Sequence, residues 1–381
     1  MANTLTNLIP DIYAALDVVS RELVGFIPAV ARDPSADRVA LNQTLRVSQA
    51  PANAGGGNIT PAMAFPSASD QTIGNKSLTI SKSRFFPFSW TGEEQYSMNT
   101  GPGYLTIKQD QIAQAVRAAI NEMETDIALA AYKGASRAYG TAGTTPFAST
   151  LVDPANVKKI LDDNGAPASD RHLVIDTTAG AALRTLAQLT KANEANDDSL
   201  LRRGTLLDLH NFAIRESAKV SLVTKGTGAN YTSDTAGYAV GATDITLIIG
   251  TGTVLAGDVV TFAGDTNKYV VAVGVAAPGV ITLAAPGLQK ALAASAVAMT
   301  IGENFTPNVG FTRNAILLAT RLPELPDEGD MALDRLTITD PVTGIALEFA
   351  VYPGFRMNVY HVSLCWGISV IKPEHVATLL G

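Results

Sequence analysis

Residues 106–134 place the strongest constraint on what this chain can fold into. Ile112, Val116, Ile120, Met123, Ile127 and Ala131 recur at steps of three and four, the spacing that lines one face of an α-helix. Thr106 and Gln109 make a capping-box pattern at one end, and Gly134 is a stop at the other. The predicted helix has about 25 residues and runs for roughly 40 Å at the usual rise per residue. A small compact domain has no use for an element that long, whereas a flat, elongated one does.

The sequence in front of it changes period. Leu78, Ile80, Lys82, Arg84, Phe86, Phe88 and Trp90 alternate, which predicts one long strand over 78–90, with Pro87 marking a sheet edge or a strand end. Upstream, residues 46–75 are rich in Gly, Pro, Ala and Ser and include the run Gly55-Gly56-Gly57. So long a stretch without a period exceeds an ordinary connection, and with the returning strand it predicts an extended two-stranded arm. Nearer the amino terminus, Ile9, Ile12, Ala15, Leu16, Val19 and Leu23 have helical spacing until Pro28 and Pro34 break it. An extended segment is expected from there on.

Beyond the long helix the pattern is mixed. Asp153-Pro154 opens a helix through 161 with Asp153 as its cap; residues 171–175 read as a short buried strand, and 179–189 as another helix. From about 218 to 308 the composition turns to Gly, Thr, Val and Ala. Strand-like runs at 245–249, 259–262, 269–273 and 280–283 are separated by turns such as Gly257-Asp258, Gly264-Asp265 and Pro278-Gly279. This block reads as an inserted small barrel or sandwich. Helical sequence is expected again at 312–321, then strands around 347–351 and 356–363 and a buried run at 365–371.

Charge and composition narrow the chemistry. Lys and Arg number 28 against 35 Asp and Glu, a net charge of −7, which disfavours condensing nucleic acid through its phosphates. Only 17% of residues are charged, so much of the surface is neutral and suited to packing against other chains. A single cysteine, Cys365, excludes an internal disulfide or a thiolate metal cluster. No signal peptide and no apolar run long enough to span a membrane are apparent, so synthesis in the cytoplasm is expected.

No catalytic, cofactor or metal site is expected. His172, His210, His361 and His375 lie far apart in sequence, and Cys365 sits in an apolar run. Glu93-Glu94, Asp162-Asp163 and Asp197-Asp198 are sequence neighbours that do not face one another on a helix. A nucleophile elbow, a P-loop and a dinucleotide fingerprint are absent, which leaves a hydrolase with an appended β-domain far behind. The candidate contact residues are Lys76, Lys82, Arg84, Phe86, Phe88 and Trp90 on the returning strand, with Arg21 and Arg38 of the arm. The basic residues also suit protection of a sheet edge by charge, but Phe86, Phe88 and Trp90 on the neighbouring face favour contact.

In this order of elements the sequence resembles the major capsid proteins of tailed bacteriophages with the HK97-like fold, and more narrowly the P22-like coat-protein group, whose fold carries an inserted β-rich I-domain. The likeness rests on the Gly-rich loop returning through 78–90 into the helix of 106–134, on Arg203-Gly204-Thr205-Leu206-Leu207-Asp208-Leu209-His210-Asn211-Phe212-Ala213-Ile214, on the block 218–308, and on Phe311-Thr312-Arg313-Asn314-Ala315-Ile316 leading into Arg321-Leu322-Pro323. It implies an α+β fold with an N-terminal arm (1–45), an E-loop (46–95), a spine helix and peripheral domain (96–145, completed by about 331–372), an axial domain (146–217 and 309–330) and the insertion (218–308). It also implies self-assembly into hexamers and pentamers of an icosahedral procapsid in the host cytoplasm, and a place in the virion capsid. The implied partners are a scaffolding protein, a portal protein and a decoration protein, with DNA merely enclosed. An encapsulin-like nanocompartment shell is the alternative on the same fold.

Overall fold

The computed structural model describes residues 22–49, 73–99, 104–186, 208–340 and 342–381, together with Pro61, Met63 and Leu189. The helix expected over the first 23 residues and most of the loop expected over 46–75 lie outside the described residues. In chain order the strands are β1 (Ala31–Val39), β2 (Thr44–Gln49), β3 (Gly74–Thr79), β4 (Lys82–Thr91), β5 (Arg137–Gly140), β6 (Arg171–Ile175), β7 (Asp208–Leu209), β8 (Phe212–Glu216), β9 (Ala229–Ser233) and β10 (Asp244–Thr251). They continue with β11 (Val259–Phe262), β12 (Lys268–Val273), β13 (Val280–Leu283), β14 (Met299–Ile301), β15 (Pro307–Thr312), β16 (Ile316–Pro323), β17 (Asp334–Thr339), β18 (Ala346–Gly354), β19 (Met357–Val370) and β20 (Val376–Leu380). The helices are α1 (Gly92–Asn99), α2 (Tyr104–Lys133), α3 (Val152–Asp163) and α4 (Thr177–Thr185).

Among the described residues the strands form three sheets. A six-stranded sheet runs β1-β16-β19-β18-β17, with β4 added to β19 over Lys82↔Trp366 to Thr91↔Met357. A larger sheet runs β7-β8-β6-β15-β20-β5-β12-β13-β10-β9, and among the described residues β2 pairs only with β3. The β-rich block keeps a core of its own around Tyr231, Ile245, Leu247, Val260, Phe262, Tyr269 and Ile281. Its strand β12 nevertheless pairs with β5, so the block continues the larger sheet instead of hanging from it. The chain leaves and re-enters the body side by side, where Val223 and Phe305 exchange backbone hydrogen bonds.

The long helix organises the main core. All six stripe residues, from Ile112 to Ala131, are buried and join Phe26, Phe311, Leu318 and Trp366. The helix has 30 residues and starts at Tyr104, which puts Thr106 inside the first turn and not at the cap. It ends at Lys133, next to the expected stop Gly134, where a Cβ would stand 2.6 Å from Val370 Cγ2 on β19 and only glycine fits.

Other expectations need correction. Residues 312–321 are not helical: a 3-10 turn, Arg313–Ala315, leads into β16. Its run Ile-Leu-Leu-Ala-Thr-Arg-Leu has an apolar content that fits a buried helix or a central strand, and β1 on one side with β19 on the other supply the hydrogen bonds of a strand. Helix α3 begins at Val152 after Leu151, and the Asp153 carboxylate accepts instead from the Phe147 N–H at 2.8 Å. Helix α4 begins two residues earlier than expected because Asp176 caps it through the N–H groups of Thr178 and Ala179. The strand expected over 78–90 is two, turned at Ile80-Ser81, where the Ser81 N–H donates to Trp366 O. The two segments expected near the end of the chain fuse into the 14-residue β19.

Candidate interaction surfaces

The alternating face of β4 lies against the chain's own long helix. Lys82 Nζ donates to Glu122 Oε1 at 3.0 Å and to Asp126 Oδ1 at 2.8 Å, and it stands 5.7 Å from the centroid of the Trp366 ring. Burial would lower the lysine pKa, but the hydrogen bonds and charges of the two carboxylates outweigh it and hold the value above the ordinary one. Arg84 Nε reaches Glu122 Oε2 at 3.2 Å, with its side chain 56% exposed. Phe86 packs on the main core, and Phe88 stacks on Tyr360 with centroids 5.0 Å apart. Trp90 is buried, and its indole N–H donates to Gln111 Oε1 at 2.7 Å. These side chains dock one sheet onto the helix within a single chain.

Lys76 differs from that group. It sits in the two-stranded unit β2-β3 opposite Val47, and both it and Arg46 are exposed. Leu78 and Ile80 anchor the base of the unit against Val39, Ala319 and Cys365. A two-stranded ribbon is marginal in water by itself, so its outer part gains from a neighbour. A second open element is β4, which among the described residues pairs on one side only, with β19. Pro87 on that strand and the exposed Arg84 are the devices that keep an open edge from pairing promiscuously.

Arg38 binds within the chain as well, donating to Pro323 O at 2.6 Å and pairing with the buried Glu348. Arg321 NH2 meets Asp33 Oδ2 at 2.6 Å, so β1 is fastened to its sheet by charge as well as by backbone pairing. Arg21 lies outside the described residues. Cys365 is buried and bonded to Ser83 Oγ at 3.2 Å, and burial pushes its thiol pKa up, away from nucleophilic character. Among the described residues no group of three or more His, Cys, Asp or Glu side chains is placed to hold a metal ion. No helix of the described residues is long and apolar enough to cross a membrane.

One feature of this architecture escaped the sequence reading. Glu124 lies on the buried side of α2, and its carboxylate is fully buried. Oε1 accepts from the N–H groups of Gly25 and Phe26, both at 2.7 Å, and from Ser217 Oγ at 2.8 Å, while Oε2 accepts from Ile27 N–H at 3.0 Å. Nearby, Glu22 pairs with Arg117 at 3.1 Å and with Lys219 at 3.4 Å. The base of the N-terminal segment, the long helix and the segment leading into the β-rich block therefore meet at one carboxylate. The available signal was Glu124 itself, four residues after Ile120 and three before Ile127 and so on the apolar stripe, whereas its neighbours Glu122 and Asp126 fall off that face.

No protein-family model matches the chain, and no curated protein matches it in sequence. Solved structures do. A chain of the capsid structure of the Cyanophage P-SCSP1u is similar at 10% identity over 95% of this chain and 89% of that chain, with a TM-score of 0.51. A chain from the capsid of a native GTA particle matches at 10% identity over 95% and 91%, with a TM-score of 0.47. One from Mycobacterium phage Bobi matches at 8% identity over 100% and 94%, again at 0.47. The cyanophage likeness carries the assignment: the fold is a mixed α+β fold of the HK97-like capsid type.

Proposed function

We propose that the chain is the major capsid protein of a tailed double-stranded DNA bacteriophage, a structural subunit without catalysis that assembles into an icosahedral procapsid. The observation that carries this reading is the capsid-type fold matched over nearly the whole length of both chains. Two further features favour it. The surface is weakly charged, as broad contacts between copies require, and the ribbon β2-β3 together with the open edge of β4 offers backbone and side chains that no other part of the described chain covers.

On this reading residues 1–45 are the arm, 46–95 the E-loop, 96–145 with 331–372 the spine and peripheral domain, 146–217 with 309–330 the axial domain, and 218–308 the P22-type insertion. Lys76 and Arg46 are the ribbon's basic contacts to a neighbouring copy. Lys82, Arg84, Phe86, Phe88 and Trp90 serve the interface indirectly by fixing the strand on which the ribbon is carried. Hexamers and pentamers, a scaffolding protein, a portal and a decoration protein are the partners. The net charge of −7 suits a container that encloses DNA without gripping it.

The loop supplies a test. Replacing residues 51–72 with a short turn is expected to leave the circular dichroism and cooperative unfolding of the chain intact, because that Gly-, Pro-, Ala- and Ser-rich segment has little core-forming sequence. The same variant is expected to form no closed particles in sedimentation velocity. Normal particles from it would remove the loop from the lattice.

A further inference from the structure

We propose that the recess beside His172 is a binding site for an oxyanion, a carboxylate or a sulfate-like group, whose occupancy is coupled to protonation of that histidine. The recess has a volume of about 500 Å³ and is lined by Asp170, Arg171, His172, His210 and Asn211 among others. It lies where β6 begins and β7 turns into β8 through His210 and Asn211, both in the left-handed region at φ 52° and 66°. This surface is independent of the assembly reading above.

The site is built from the inside. The His172 side chain is 4% exposed, yet among the described residues its Nδ1 has no hydrogen-bond partner, and the same holds for Arg215 Nε. Buried polar nitrogens left without partners are uncommon and call for an acceptor. The other ring nitrogen is engaged: His172 Nε2 lies 3.1 Å from Asp170 Oδ1, to which its N–H donates, so the Arg313 guanidinium 3.3 Å away is a neighbouring charge and not its hydrogen-bond partner.

The charged and titratable groups facing the ring are Asp170 from the preceding turn, Arg313 from the 3-10 turn, Arg215 from β8 and His210 from the β7-β8 turn. Arg171, the preceding residue of β6, points to the opposite face of the strand, where its guanidinium donates to Pro167 O and Ala166 O and pairs with Asp162 at 2.7 Å. Asp170 is shared between His172 and Arg313, at 3.1 and 3.2 Å. One carboxylate thus serves an imidazole and a guanidinium, while Arg215 has no ion pair among the described residues. Burial lowers the His172 pKa, and the charges of Arg313 and Arg215 reinforce this against the pull of Asp170.

Protonation and anion binding follow from the same hydrogen bonds. In the neutral ring, with Nε2–H donating to Asp170, Nδ1 is a bare lone pair and repels an anion. In the imidazolium, Nε2–H still donates to Asp170 while Nδ1–H points at the incoming oxygen. One proton is taken up as one oxyanion binds, and each event favours the other.

Sulfate is the probe, since it does not titrate near neutral pH. In the full-length chain labelled in its histidine rings, the four resonances are assigned by single substitution and followed from pH 5 to 8, with sulfate exchanged for chloride at constant ionic strength. The expected result is a rise of the His172 pKa with sulfate, and a sulfate affinity that falls by up to about tenfold per pH unit above that pKa. Arg215→Gln, which leaves the ring in place, is expected to weaken the response even where His172→Asn fails to fold. In assembled particles, a His172 already protonated without sulfate identifies the oxyanion as a carboxylate of another copy, and one that responds only to added sulfate identifies a free ion. A His172 that ignores sulfate in the free chain and does not change on assembly overturns the proposal.

Discussion

Glu124→Ala lowers the unfolding free energy of the unassembled chain by about 4 kcal/mol or more in urea denaturation, enough to leave little of the stability of an ordinary domain. The loss is large because four donors share the carboxylate: three successive backbone N–H groups, of Gly25, Phe26 and Ile27, and the Ser217 hydroxyl. Hydrogen bonds to a charged group are each worth about 1.5–3 kcal/mol, and an alanine leaves every donor buried without an acceptor. Removing a buried charge returns part of that sum, which is why the expected loss falls well short of four full hydrogen bonds.

The pH dependence of this joint has a definite sign. Burial raises the Glu124 pKa above 4.5 even though its four hydrogen bonds pull the other way. A folded pKa above the unfolded one means that the group's contribution is fully present below the unfolded value and is lost as the pH rises through the folded value. The stability gap between the wild-type chain and Glu124→Gln is therefore expected to narrow from about pH 4.5 towards neutrality. A gap that widens over that window would contradict a raised pKa.

Trp366→Ala is expected to cost about 3–5 kcal/mol, the range for deleting a large buried aromatic. Trp366 is fully buried in β19 under the long helix, and its indole N–H donates to Asp126 Oδ2 at 2.9 Å. Asp126 in turn holds Lys82 at 2.8 Å, and the Trp366 carbonyl receives the Ser81 N–H at the turn between β3 and β4. The substitution therefore opens a cavity and also loosens the strand that carries the β2-β3 ribbon. Trp366→Phe refills most of the volume but leaves Asp126 without the indole donor, so its cost is expected to lie well below that of alanine. Equal losses for the two variants would show that packing volume contributes little here.

How far these joints could be read from sequence differs by element. The stripe from Ile112 to Ala131 was legible because a helix packed along its whole length writes its period into the chain. Strands β11 and β13 fell where alternation and Gly or Pro turns placed them. Strand β16 was misread because a central strand buried on both faces has no alternation, and only its long-range pairing with β1 and β19 separates it from a helix. The role of Lys82 and Trp90 was hidden for a related reason: period two shows that they share a face but not which element covers it. Glu124 was visible as an anomaly in the stripe, yet its donors lie 97 to 99 residues away for the backbone and 93 for Ser217. The recess at His172 brings Asp170 beside His210 and Asn211 from a separate segment, with Arg215 and Arg313 acting on the ring by charge, and no spacing in the sequence announces it.

Electron microscopy of the chain, expressed alone and together with the genes that flank it, tests the central claim most directly. The account predicts uniform, closed round particles whose wall is built from this chain, with portal, terminase and scaffold genes nearby. Particles without such genes, loaded with a host enzyme, would make it a nanocompartment shell instead. A field of small monodisperse molecules, even with the scaffold present, would contradict shell assembly altogether.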